Sequence, residues 1–147
     1  MIRDFRLLFP MFAMVLLTAT VLVRLFRSRV RAVREGQLPA SYFRIYQGGI
    51  EPDYAIKTSR HFVNLFEAPT LFYVACLAAM VTRTGGSLML ALAWVYVATR
   101  LAHAYIHLGP NRLRHRIRAY FSGWLVLIAM WAWLAISVAI AGASAAG

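Results

Sequence analysis

The chain has 147 residues, a length that predicts one domain. Hydrophobic residues make up 61% of it and charged residues 14%, which excludes a water-soluble domain, because so small a domain could not bury that much apolar surface. The net charge is +11, but the arginines lie in short connections between apolar runs. This pattern is typical of membrane topology and contact with anionic lipid headgroups, so no nucleic-acid partner is predicted.

Four apolar segments follow one another along the chain, and each is long enough to cross a bilayer as a helix. We therefore expect an all-α membrane protein, a single domain over residues 1–147 with an up-and-down bundle of four transmembrane helices. The predicted helices cover about residues 7–26, 54–82, 87–108 and 118–141. Arginines follow the first segment without a small-residue cleavage site, which favours a retained helix over a signal peptide.

The topology follows from the arginine distribution. Four spans place both termini on one side of the membrane and the two arginine-rich connections on the other. The positive-inside rule puts those connections in the cytoplasm and the termini outside. The compact loops are compatible with a bacterial inner membrane.

A polar face interrupts the second apolar segment. In a continuous helix Arg60, Asn64 and Glu67 fall at positions i, i+4 and i+7, so a cation, an amide and a carboxylate share one side. Ionisable groups in a membrane helix are costly and rarely face lipid, so this face predicts either a binding site or a polar contact with another helix.

The third segment carries a second polar face, formed by Tyr96, Arg100, His103 and His107. We expect the two faces to meet at the same depth. One interpretation is a ligand site; the other is mutual satisfaction, with Glu67 paired to an arginine.

No metal site is predicted. His103 and His107 at i, i+4 are spaced like a zinc-binding pair, but the intervening glutamate and a third ligand of obvious spacing are absent from the sequence. The single cysteine, Cys76, lies in an apolar run and is interpreted as a small core residue.

Taken together, these stretches resemble the family of membrane-associated proteins in eicosanoid and glutathione metabolism (MAPEG). The resemblance rests on the pattern Arg60-x-x-x-Asn64-x-x-Glu67 followed by Pro69, and on three further stretches: Val23-Arg24-Leu25, Arg100 to Gly109 with its two histidines, and the arginine cluster that leads to Tyr120. It covers nearly the whole chain.

The resemblance implies a homotrimer of four-helix subunits, with glutathione as co-substrate between adjacent subunits near the cytoplasmic face. It assigns the glutathione site to Arg24, Arg60, Asn64, Glu67, His103, His107, Arg112 and Tyr120. Arginines would take the two carboxylates and Glu67 the ammonium. The thiolate-stabilising residue is assigned to Arg116, with Arg112 and Arg114 as alternatives.

Two functions remain open from the sequence. The first is a glutathione-dependent transferase or peroxidase that acts on lipophilic electrophiles entering from the bilayer. The second is a non-catalytic membrane protein whose polar faces are structural or bind a lipid headgroup or another anion. Two residues leave the non-catalytic function open. Val63 stands where some family members carry a second basic residue, and Ile117 stands where some carry a serine.

Overall fold

The computed structural model describes residues 5–146, and its regular elements are all helical, with no strand within that range. A short 3-10 turn, Phe5–Leu7, leads into six α-helices. These are α1 (Leu8–Arg34), α2 (Tyr42–Ile45), α3 (Asp53–Asn64), α4 (Ala68–Val81), α5 (Ser87–Leu108) and α6 (Leu113–Ala146).

Four helical segments are long and apolar enough to cross a membrane: Phe5–Arg34, Asp53–Val81, Ser87–Leu108 and Leu113–Ser144. In their most apolar windows only 17–39% of residues are buried within the chain. Most of the apolar surface therefore points outward, where lipid or another subunit must cover it. This confirms the prediction of an all-helical integral membrane protein.

Apart from the end of α6, which lies at Ala146 instead of 141, the helix bounds differ by more than one residue from those predicted at three places. α5 covers the same residues as the predicted third helix, whereas α1 runs eight residues beyond position 26 to Arg34. It ends there because Gly36 takes a left-handed conformation, with φ of 69°. α6 begins at Leu113 instead of 118, directly after Asn111 turns the chain with φ of 49°.

The third difference changes the predicted site. Residues 54–82 were expected to form one helix, but α3 ends at Asn64 and α4 begins at Ala68. Pro69 explains the break, because proline lacks an N–H and cannot bond to the carbonyl of residue 65. The prediction that Glu67 continues the face of Arg60 and Asn64 is therefore wrong: Glu67 lies in the break, with φ of −87° and ψ of −100°.

The helices pack around one core. α5 packs along α6, and α3 packs against both α1 and α5. At the centre, the rings of Phe72 on α4 and Tyr96 on α5 stack with 4.6 Å between centroids. Gly123 brings α6 close to α5, since a Cβ atom there would lie 3.2 Å from the Thr99 hydroxyl and 3.2 Å from a guanidinium nitrogen of Arg100. These contacts fix the relative positions of the helices that carry the polar residues.

Candidate functional site

A cavity of about 440 Å³ opens between α3, α5 and the start of α6. Six of the nine residues assigned by the resemblance line it: Arg60, Asn64, His103, His107, Arg116 and Tyr120. They come as three pairs at i, i+4 spacing, one pair on each helix, because that spacing places two side chains on the same face. The predicted meeting of the two polar faces therefore occurs, and the start of α6 adds a third.

The apolar part of the cavity lining comes from α3 and α6. These residues are Val63, Ile117 and Phe121. The lining therefore combines cationic and polar side chains with apolar ones. Such a surface suits ligands that carry both charged and apolar groups.

Arg116 is held in place by a neighbour from the preceding turn. Its Nη1 donates a hydrogen bond of 2.9 Å to Oδ1 of Asn111. The two rival arginines, Arg112 and Arg114, are exposed and do not line the cavity. Among the three candidates for the thiolate-stabilising residue, the geometry favours Arg116.

Three assigned residues lie outside this cavity within the chain: Arg24, Glu67 and Arg112. Glu67 is exposed and forms no ion pair with any of residues 5–146, so the alternative interpretation, in which Glu67 pairs with an arginine, is not found within the described residues.

Arg24 belongs to a second, smaller cavity of about 270 Å³. Its Nη2 donates to the carbonyl of Leu108 at 3.2 Å, which satisfies one free carbonyl at the end of α5. Arg27, Arg31 and Lys57 line the same cavity. This second cavity is therefore strongly basic.

Arg100 lies behind the main cavity and is 1% exposed. Its Nε donates to the Tyr96 hydroxyl at 3.1 Å, and its guanidinium carbon lies 5.1 Å from the Tyr96 ring centroid and 5.6 Å from that of Tyr120. Both rings therefore stabilise the buried cation through their π faces. Because Tyr120 also lines the cavity, Arg100 supports the cavity wall from behind.

Sequence reasoning missed His61. It follows Arg60 directly and therefore lies about 100° further around α3, on the buried side of the helix, where it is 1% exposed. Its ring centroid lies 5.4 Å from that of His103 and 5.1 Å from that of His107. The signal was present in the helix period: Ala55, Thr58 and His61 form the buried side of α3.

The fold and this cavity define an integral membrane protein with a cationic site at one end of a helix bundle. A family model described as the MAPEG family matches residues 7–136, which include every residue of the cavity. The chain belongs to this family, as its sequence resemblance predicted. Comparisons with curated proteins and with solved structures found no match.

Proposed function

We propose that this chain is a membrane-embedded, glutathione-dependent transferase or peroxidase that acts on lipophilic electrophiles. The observation that carries the proposal is the joint lining of one cavity by Arg60, Asn64, Arg116 and Tyr120 in a chain of the MAPEG family. The cavity volume of about 440 Å³ lies within the usual range for small-molecule sites, roughly 300–1,000 Å³.

The arginines of the cavity match the carboxylates of glutathione. Glutathione carries two carboxylates, one ammonium group and a thiol. Arg60 and Asn64 would hold a carboxylate and the adjacent amide, since guanidinium and carboxylate form charge-assisted pairs. Arg116 would contact the sulfur.

The thiol must lose its proton before it attacks. An ordinary thiol has a pKa near ~8.5. A guanidinium within hydrogen-bond distance favours the thiolate and lowers that pKa. The thiolate would attack an electrophilic carbon and form a thioether as the bond to the leaving group breaks. With a hydroperoxide, it would attack an oxygen and break the O–O bond, which gives an alcohol and glutathione sulfenic acid. A second glutathione would convert the sulfenic acid into glutathione disulfide and water. Val63, Ile117 and Phe121 would receive the apolar part of such a substrate from the bilayer.

The ammonium group of glutathione requires an anion that this cavity lacks within the described subunit. Glu67 and Arg112 are exposed, where a neighbouring subunit could reach them. A homotrimer with glutathione between adjacent subunits, as the family resemblance implies, would let Glu67, Arg24 and Arg112 complete the site. The positive-inside rule would then put the cavity at the cytoplasmic face, which we propose is that of a bacterial inner membrane.

A non-catalytic function is the alternative, and the second cavity favours it. Arg24, Arg27, Arg31 and Lys57 form a basic group that would attract a lipid headgroup or another anion. The apolar Ile117 beside Arg116 would also offer no proton to a reaction.

Glutathione binding by the purified protein in detergent tests the proposal. Calorimetry should show saturable binding, and the ultraviolet thiolate band should be present at neutral pH. Arg60→Gln should weaken affinity by roughly 10- to 100-fold, because a charge-assisted hydrogen bond contributes about 1.5–3 kcal/mol. Arg116→Gln should move the thiolate band to higher pH.

Arg118→Gln is the matched control. Arg118 is exposed on the same helix as Arg116 and lies outside the cavity, so its replacement removes one positive charge without touching the site. Absence of binding at millimolar glutathione would refute the proposal. Binding without any thiolate at neutral pH would support the non-catalytic alternative.

A further inference from the structure

Three buried histidines meet next to the main cavity. His61 on α3 and His103 and His107 on α5 are 1%, 2% and 3% exposed, respectively. One ring nitrogen from each lies within 4.8 Å of the other two. The helix break after Asn64 ends α3 immediately beyond this cluster, and α3 packs directly against α5.

The ring nitrogens of the cluster are poorly satisfied. Both nitrogens of His61, both of His103 and Nδ1 of His107 are buried and have no hydrogen-bond partner among residues 5–146. A buried polar atom without a partner costs about 1–3 kcal/mol, so a structural role in helix contact does not explain three such side chains. Unpaired imidazole nitrogens that lie this close together are potential ligands for a metal ion.

We propose that His61, His103 and His107 bind one divalent transition-metal ion, for which Zn²⁺ is the best-suited candidate. Three neutral imidazoles with an open fourth position are a recognised zinc ligand set. A Zn–N distance of 2.0–2.1 Å in a tetrahedral site implies nitrogens roughly 3.3 Å apart, so each ring would have to move inward by about 0.8 Å. Small rotations of the imidazole rings provide such a movement.

The fourth position would open toward the cavity, because His103 and His107 also line it. Arg60 and Arg116 share that cavity, and their positive charges repel a cation. We therefore expect an anion, such as hydroxide or chloride, at the fourth position and a weaker affinity than in a neutral three-histidine site. Metal binding by these three histidines requires no glutathione and does not depend on the proposed transferase function, although the site borders the cavity proposed for glutathione.

The sequence predicted no metal because it offered only two histidines with suitable spacing. His61 supplies the missing third ligand from another helix. The sequence contains four histidines, and the remaining one, His115, is exposed and lies outside the cluster. It therefore provides a matched control.

The test uses the full chain in detergent, carrying no polyhistidine tag and no glutathione, after equilibrium dialysis against Co²⁺ or Zn²⁺. We expect one ion per chain and the intense visible bands of tetrahedral Co²⁺. His115→Gln should keep both, whereas His61→Gln should weaken Co²⁺ binding at least tenfold while its circular dichroism and elution volume stay unchanged. Absence of stoichiometric binding in the wild type, or unchanged binding in His61→Gln, would overturn the proposal.

X-ray absorption of the zinc-loaded wild type provides a readout that depends on no variant. Three imidazole ligands per zinc would support the proposal. Fewer than three would overturn it, since a surface histidine such as His115 supplies at most one.

Discussion

Replacing Gly123 by alanine tests how closely α6 approaches the buried Arg100. The added Cβ would lie 3.2 Å from Nη2 of Arg100, 3.2 Å from Oγ1 of Thr99 and 3.3 Å from Cζ of Arg100. Carbon atoms prefer non-bonded separations of about 3.5–4.0 Å, so the contacts are short by roughly 0.3 Å or more. Arg100 cannot easily move away, because it is 1% exposed and its Nε is bonded to Tyr96.

The expected loss of stability combines two opposing effects. Overpacking of a well-packed contact costs about 1–3 kcal/mol. Alanine in place of glycine inside a helix returns up to about 1 kcal/mol. With the full gain, we expect Gly123→Ala to lower the free energy of unfolding by up to about 2 kcal/mol relative to the wild type, and by about 1–3 kcal/mol relative to a glycine-to-alanine variant without overpacking.

Cys76 provides the assay. It is the only cysteine in the sequence, and it is fully buried in the folded chain. A dye that fluoresces on reaction with thiols should therefore remain dark in the native protein and report unfolding on heating. Gly142→Ala is the matched control on α6, because no atom lies within 4 Å of its added Cβ.

Comparing the melting temperatures of the two variants tests whether α6 lies as close to Arg100 as the structure shows. Gly142→Ala should melt at or slightly above the wild-type temperature, whereas Gly123→Ala should melt below that control. A Gly123→Ala variant that melts as high as Gly142→Ala would refute the close approach of α6 to Arg100. It would also remove the argument that Arg100 supports the cavity wall at Tyr120.

Two further predictions concern buried and exposed polar groups and use the same melting assay. Glu67→Gln should leave the melting temperature of the monomeric chain unchanged, since the exposed carboxylate forms no ion pair within residues 5–146; a drop of several degrees would contradict this. Tyr96→Phe should cost about 1–3 kcal/mol, because the Nε of Arg100 would lose its acceptor in a buried site. Tyr105→Phe, with 77% exposure on the same helix, is its control, and equal effects of the two tyrosine variants would refute the reasoning.

The main helix prediction and the family assignment follow from local features of the chain. Four apolar runs of membrane length predict four transmembrane helices. In the bilayer a single segment can satisfy its backbone hydrogen bonds only as a helix. The family pattern around Arg60 and Asn64 also lies within a few turns. Likewise, the i, i+4 spacing of His103 and His107 determines that they share one face wherever α5 packs.

The wrong placement of Glu67 on the helix face of Arg60 and Asn64 also has a local cause. Pro69 in the sequence indicated the helix break. The single helix over residues 54–82 was predicted from hydrophobicity, which extends a helix as long as the residues remain apolar. The segment from Ala68 to Val81 is apolar almost throughout. The backbone instead breaks over residues 65–67, just before Pro69, because the missing N–H of proline overrides side-chain periodicity. This break removes Glu67 from the cavity that its spacing predicted.

The amino-acid sequence by itself determined which segments are helices, that these belong in a membrane, and which polar residues share a helix face, because these properties depend on neighbours within a few turns. Only the tertiary structure decided which faces meet. The contact of α3 with α5 joins His61 to His103 and His107, and the start of α6 brings Arg116 into the cavity while Arg112 stays outside. Such meetings depend on the rotation and approach of whole helices, which contacts such as that of Gly123 with Arg100 set across the bundle.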